Sequence, residues 1–301
     1  MKICIHNQAV TLSFLGLLFV VVIWGFSPLL TLYFYDYYSP TARVCLAALI
    51  GAASMLLVSL KHLKLLDRSY LRVAIPTGLF YTAANMLQKI GLQYTTPAHY
   101  AVLENLACVV VPFLLLLFIK KKPTWLTLFA SALCICSTVV ITGFTGGGEA
   151  SLKGDILCAL AGLFYGVNTA ATGVYAKKLY APLYLMIQLL TEAVISGICA
   201  LVFHSTGMEP LRFSFDGGIL LAHAGLVIMT STIGWLIRTN AMKHVDPSIV
   251  AVIMPFASAV TAILSVALGK EAFTWNLVAG VTMGITAIIL SGLGDRPVKR
   301  R

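Results

Sequence analysis

The sequence predicts an all-α membrane protein, ten transmembrane helices in two inverted-topology five-helix repeats. Three observations predict it. Of 301 residues, 59% are hydrophobic and only 11% charged, against roughly a quarter charged in an ordinary soluble domain. A soluble chain so poor in charge could not cover its own surface with polar groups. Ten apolar stretches, each near the roughly 20 residues that cross the hydrocarbon, run from one end of the chain to the other. Finally, the second half repeats landmarks of the first.

The first span covers 12–34. The segment from Met1 to Val10 ahead of an apolar run has the outline of a secretory leader. The stretch from Thr11 to Tyr35 is nevertheless too long for a leader's apolar region and lacks an A-x-A-like cleavage site. Spans two and three, 41–60 and 71–94, flank a basic turn with Lys61, Lys64 and Arg68. Span four, 98–119, ends at Lys120, Lys121 and Lys122, and span five, 124–142, stops before Gly146, Gly147 and Gly148. Spans six to ten follow at 154–176, 182–204, 218–241, 247–268 and 274–293. The glycine-rich loop divides the chain into repeats at 1–145 and 146–301.

Charge sets the orientation. The net charge of +10 is read as topology rather than nucleic-acid affinity, because Lys and Arg collect on the cytoplasmic side. With the N-terminus inside, the inner ends hold Lys2, Lys61, Lys64, Arg68, Arg72, Lys120, Lys121, Lys122, Lys177, Lys178, Arg238, Lys243, Arg296, Lys299, Arg300 and Arg301. Only Arg43, Lys89, Lys153, Arg212 and Lys270 fall toward the outside. Both termini are therefore expected in the cytoplasm, and an odd number of spans would break the alternation. The basic tail suits anionic lipid. Six of the seven cysteines lie in apolar stretches, where Cys behaves as a small hydrophobe. No Cys/His cluster has metal spacing, so neither metal nor cofactor is expected.

The repeat is visible without gaps. A shift of 150 residues places Pro97 on Pro247, Ala101 on Ala251, Lys120 on Lys270, and Thr124-Trp125 on Thr274-Trp275. Slightly shorter offsets place Trp24-Gly25 on Tyr165-Gly166 and Pro40 on Pro182. Five spans per repeat is an odd number, so the second repeat enters the membrane from the opposite side. Inverted repeats of this kind are typical of secondary transporters, with the binding site at the midplane between the halves.

These residues resemble the drug/metabolite transporter superfamily, in its EamA-type ten-helix members. The likeness is carried by Trp24-Gly25 with Pro28, by "GLQYTTPAHYAVLENL" between spans three and four, and by "AMKHVDPSIVAVIMPF" and "GKEAFTW" in the second half. The resemblance implies a central cavity, alternating access, and substrates such as amino acids, related metabolites or cationic drugs, with export the commoner direction. It also implies a bacterial inner (plasma) membrane. The first half departs from the pattern: Lys120-Lys121-Lys122 stands where the second has Gly269-Lys270-Glu271, and Asn105 stands where it has Pro255.

Ionisable groups at membrane depth by default suggest function. Glu104 lies about two turns, roughly 10 Å, into span four. Equal distance from the turn near 96–97 puts Lys89 at the depth of Glu104 and Gln88 at that of Asn105. Glu104 then either pairs with Lys89 as a helix–helix tie or binds a substrate ammonium or a coupling proton. Glu192 lies near mid-bilayer, with Gln188 on the same helix face, as an interhelical hydrogen-bond donor or a proton carrier. Trp24, Tyr81, Asn85, Tyr165, Asn168 and Trp235 sit away from the span ends, unlike interfacial Tyr33, Tyr35, Tyr37 and Tyr38. Together with Gln88, Glu104 and Asn105 they form the candidate substrate site, with Glu104, Lys89 and Glu192 as the coupling or ion-pair set. Aromatic faces suit cationic or aromatic ligands; each of these side chains also has a plain packing role open to it.

The function expected is secondary transport of a small molecule, such as an amino acid or related amine, by a monomer or dimer, with proton coupling open. No Walker A segment is present for ATP-driven pumping. A sugar-phosphate or nucleotide-sugar exchanger would need basic groups at depth, for which Lys89 and Arg238 are the candidates. A membrane enzyme would need a catalytic constellation, and His99, His204 and His223 are isolated near span ends. A channel relies on rings of charge or carbonyls, an arrangement an internal inverted repeat disfavours.

Overall fold

The computed structural model describes residues 2–95, 103–142, 152–269 and 273–294. The matches at Pro97, Ala101 and Lys270, together with His99, the glycine loop and the basic tail, lie outside them.

Helices make up nearly everything described. The first repeat contains α1 (Lys2–Phe34), α2 (Pro40–Ser59), α3 (Arg68–Gly91), α4 (Ala107–Ile119) and α5 (Trp125–Thr142). The second contains α6 (Leu152–Tyr175), α7 (Ala181–Ser205), a third span of α8 (Gly217–Val227) and α9 (Trp235–Ala241), a fourth of α10 (Pro247–Ile253) and α11 (Phe256–Ala267), and α12 (Trp275–Gly294). The spans agree closely with the sequence reading, except that α1 begins near Lys2 rather than residue 12. Seven segments are long and apolar enough to cross a membrane on length and composition, and α4 and α5 are shorter apolar helices. The remaining span, α3, is longer but carries Arg68, Arg72, Gln88 and Lys89.

The repeat extends to local detail. Each third span opens on an aspartate cap: Asp67 accepts from the Ser69 and Tyr70 N–H groups, and Asp216 from Ile219 N–H. Such caps satisfy N–H groups that a helix start leaves unpaired. Each fourth span breaks within one residue of the same register, at Asn105–Leu106 and at Met254–Pro255. Each also ends near a left-handed residue, Lys120 (φ 54°) in the first repeat and Gly269 (φ 67°) in the second.

The aligned Trp24-Gly25 and Tyr165-Gly166 pairs have a shared cause. A Cβ on Gly25 would meet Val260 at 2.6 Å and the Ala257 carbonyl at 3.0 Å. A Cβ on Gly166 would meet Val110 at 3.2 Å and Ala107 at 3.5 Å. Val110 and Ala107 are the residues a 150-position shift places on Val260 and Ala257. In each half, then, glycine lets the first span lie against a fourth span, with the partners exchanged between repeats. Close backbone approach at small residues is how helices associate in lipid, where no hydrophobic force drives them together.

Packing follows the same exchange. α2 lies along α7 and α5 along α12, each pairing equivalent spans, while α3 packs on α6 and α7, and α1 on α9 and α11. α10, buried along its whole length, packs on α1, α4, α5, α6 and α12.

Two ties join the halves at opposite ends of the bundle. At the end bearing Lys61, Lys64 and Lys120, here the basic end, Lys121 Nζ lies 2.5 Å from Asp246 Oδ2. At the other end Thr41 donates to Glu209 through N–H (3.0 Å) and Oγ1 (2.6 Å). Tyr38 and Phe213 form an isolated antiparallel bridge beside it.

Candidate functional site

One stripe of α3 organises the centre. Tyr81, Asn85 and Gln88, spaced i, i+4, i+7, fall on one helical face. Asn85 Nδ2 donates to Glu192 Oε1 of α7 at 2.6 Å. Gln88 Nε2 donates to Glu104 Oε1 at 2.7 Å, and Tyr165 OH of α6 donates to Gln88 Oε1 at 3.1 Å. Two carboxylates from different helices are therefore each held by an amide of α3, one turn apart. Glu192 is only 2% exposed.

Below this pole, toward the basic end, lies a layer of rings. Trp235 sits 5.3 Å from Trp24 and 4.7 Å, edge-on, from Tyr81; Tyr81 is 6.2 Å from Tyr165. The π-helical turn Ile228–Gly234 between α8 and α9 brings a main-chain carbonyl into the same place. Thr230 O there accepts from Trp24 Nε1 at 3.3 Å. A π-bulge shifts hydrogen-bond register and so releases carbonyls, and such bulges are frequent at functional sites.

Beyond the rings is Arg238. Sequence reading counts it with the basic inner end, yet it is 4% exposed within the protein. Its Nη2 donates to Thr169 Oγ1 at 2.5 Å, and its guanidinium lies 4.6 Å over the Trp235 ring. Nε and Nη1 have no hydrogen-bond partner among the described residues. Tyr184, one ring away, passes a hydrogen-bond chain between Thr172 (2.7 Å) and Thr77 (2.8 Å).

Most predicted site residues meet here: Trp24, Tyr81, Asn85, Gln88, Glu104, Tyr165, Trp235 and Glu192. Three are placed otherwise. Asn105, set at the depth of Gln88, instead donates to Thr138 Oγ1 of α5 at 3.1 Å. Asn168 is fully buried and ties α6 to the Thr77 carbonyl of α3 at 3.0 Å. Lys89 is related to Glu104, Glu192 and Arg43 through charge alone, while Glu104 takes the Gln88 amide. Depth fixes height but not azimuth, and successive helix residues differ by about 100°. Gln88 therefore reaches Glu104 with a hydrogen bond, and Lys89 acts on it through charge.

Sequence reading did not place Thr169 or the Thr230 carbonyl in this site, and named Arg238 only as a basic group at depth for a phosphate-carrying exchanger. The signal for Arg238 was its spacing three residues after Trp235, which stacks the two on one face. The Thr230 carbonyl had none, because a π-turn has no side-chain signature.

Comparison with known proteins decides the family. The EamA-like transporter family matches residues 11–143 and again residues 152–293. The chain belongs to that family. Among solved structures, one crystal structure covers 97% of this chain and 100% of its own, with a TM-score of 0.78 at 17% identity, a likeness that shows the fold. No curated protein matches significantly. As an EamA-like protein the chain is a multi-pass membrane transporter, and its substrate is a small molecule.

Proposed function

We propose that this EamA-like protein moves small amine-bearing metabolites, amino acids and related amines, by alternating access, in the direction of export. The basic end faces the cytoplasm of a bacterial inner membrane. The observation that carries the substrate class is the pair Glu104 and Glu192, each held by an α3 amide beside aromatic rings. An ammonium group is recognised by such a set through charge-assisted hydrogen bonds and ring faces. Alternation is supported by the ties between repeats at opposite ends. Both cannot hold while the centre opens to one side.

The test is thermal stabilisation of purified protein by amino acids, amines and organic phosphates. A ligand that binds only the folded state at 100 times its Kd stabilises by about 2.7 kcal/mol. Amino acids or amines are expected to raise the melting temperature of wild type but not of Glu104→Gln or Glu192→Gln. Stabilisation by phosphates alone would overturn the substrate class.

A further inference from the structure

Arg238 stands apart from this amine-binding reading. A guanidinium carries five N–H donors in a planar fork, and burying a charge without hydrogen-bonded partners is costly. Arg238 is 4% exposed, spends one edge on Thr169 and one face on Trp235, and leaves Nε and Nη1 unpartnered among the described residues. Among the described residues, the titratable groups acting on it are the hydroxyls of Tyr184, Tyr81 and Tyr165. None of these is a carboxylate.

The position fits neither of the bland roles of a membrane arginine. An interfacial arginine snorkels its head to water, whereas this one is sealed in protein. A helix–helix tie uses its donors on a neighbouring helix, whereas two of its nitrogens make no such bond among the described residues. The edges of a guanidinium that bind the two oxygens of a carboxylate bidentately are Nε–Nη2 and Nη1–Nη2; with one Nη2 hydrogen on Thr169, the other edge keeps both of its donors for a carboxylate.

We infer that Arg238 is the oxyanion site of the transport pathway, taking the carboxylate of the substrate on the opposite side of the aromatic layer from Glu104 and Glu192. The inference rests on the amine-transport reading and narrows it. From the Tyr81–Trp235 rings, beyond which Arg238 lies, to the Asn85–Gln88 level of α3 is roughly 6–10 Å at 1.5 Å per residue. The preferred substrate is therefore amphoteric, with its acid and a distal amine held well apart. An α-amino acid bearing a terminal amine fits better than a short neutral one.

The experiment compares binding of lysine and ornithine with that of their decarboxylated amines, cadaverine and putrescine. Monocarboxylates and organic phosphates without an amine complete the panel. Binding is read by thermal shift and tryptophan fluorescence in wild type, Arg238→Gln and Arg238→Lys, each first checked for a monodisperse elution profile. Wild type is expected to bind the amino acids about tenfold or more tightly than the amines, the scale of one charged hydrogen-bonded contact. Arg238→Gln should erase that preference while still binding the amines. Arg238→Lys, which keeps charge but loses the fork, should restore part of it and shows whether Gln failed only by misfolding. Equal affinity for acid and amine in all three proteins would overturn the oxyanion site and leave amine transport standing. Monocarboxylates bound through Arg238, with no effect of Glu192→Gln, would uphold the oxyanion site and overturn the amine reading. Arg238-dependent binding of phosphates alone would move the oxyanion from carboxylate to phosphate and overturn the amphoteric substrate. No binding of any member would overturn both.

Discussion

The Asn85–Glu192 contact is one that a neutral side chain can also complete. Asn85 donates its amide to Glu192 across 2.6 Å, and a Gln at 192 still offers a carbonyl acceptor there. Glu192→Gln is therefore expected to keep the fold close to wild-type stability. Glu192→Leu strands the Asn85 amide and is expected to cost about 1–3 kcal/mol. Thermal melts of the two variants check this, and equal melting temperatures would show that the contact is idle. A second residue-scale expectation concerns Lys120, held at φ 54°, where a side chain is strained and glycine is not. Lys120→Gly should raise stability by about 0.5–1 kcal/mol, and a lower melting temperature would show that the Lys side chain holds something the backbone cost conceals. At this scale the sequence was half legible. Residue type and depth singled out Glu104, Glu192, Gln88 and the rings, because charge and amides stand out against apolar spans. Azimuth was not legible, which is why the Gln88–Glu104 bond was not foreseen and Asn105 was set against Gln88 rather than Thr138.

Helices were the most readable level, since each apolar run of about 20 residues has one solution in lipid, where every backbone group must pair within its own segment. The breaks inside them were harder to read. Pro255 marks the break at Met254–Pro255, but Asn105 marks the matching break without a proline, so only the repeat makes it visible. The close crossings of α1 on α11 and α6 on α4 rest on Gly25 and Gly166, and the two differ in tightness. Gly25→Ala places a methyl 2.6 Å from Val260, while Gly166→Ala places one 3.2 Å from Val110. The Gly25 substitution is expected to destabilise by about 1–3 kcal/mol, in the range of overpacking, and the Gly166 substitution by clearly less. Melting both in the same detergent decides the order, and a reversed order would contradict the reading of these glycines as packing contacts.

For the whole molecule, inverted repeats give two equivalent ways to arrange the same contacts, which is what a two-sided carrier requires. The Lys121–Asp246 pair ties the repeats at one end and the Thr41–Glu209 bonds tie them at the other. Lys121→Ala removes the first while leaving Asp246 to cap α10 at the Ser248 N–H. In a background with the seven native cysteines replaced, it should speed labelling of a cysteine at Thr169 by an impermeant thiol reagent added from the basic end. Unchanged labelling would mean that this pair does not hold that end shut. Most directly, solute counterflow in proteoliposomes tests whether a central site is exposed to each side in turn. Vesicles loaded with unlabelled lysine and diluted into radiolabelled lysine should show transient, saturable accumulation that Glu192→Gln abolishes and Arg238→Gln shifts to about tenfold higher lysine. Flux that rises linearly with concentration, indifferent to lysine on the far side, would contradict alternating access through this site.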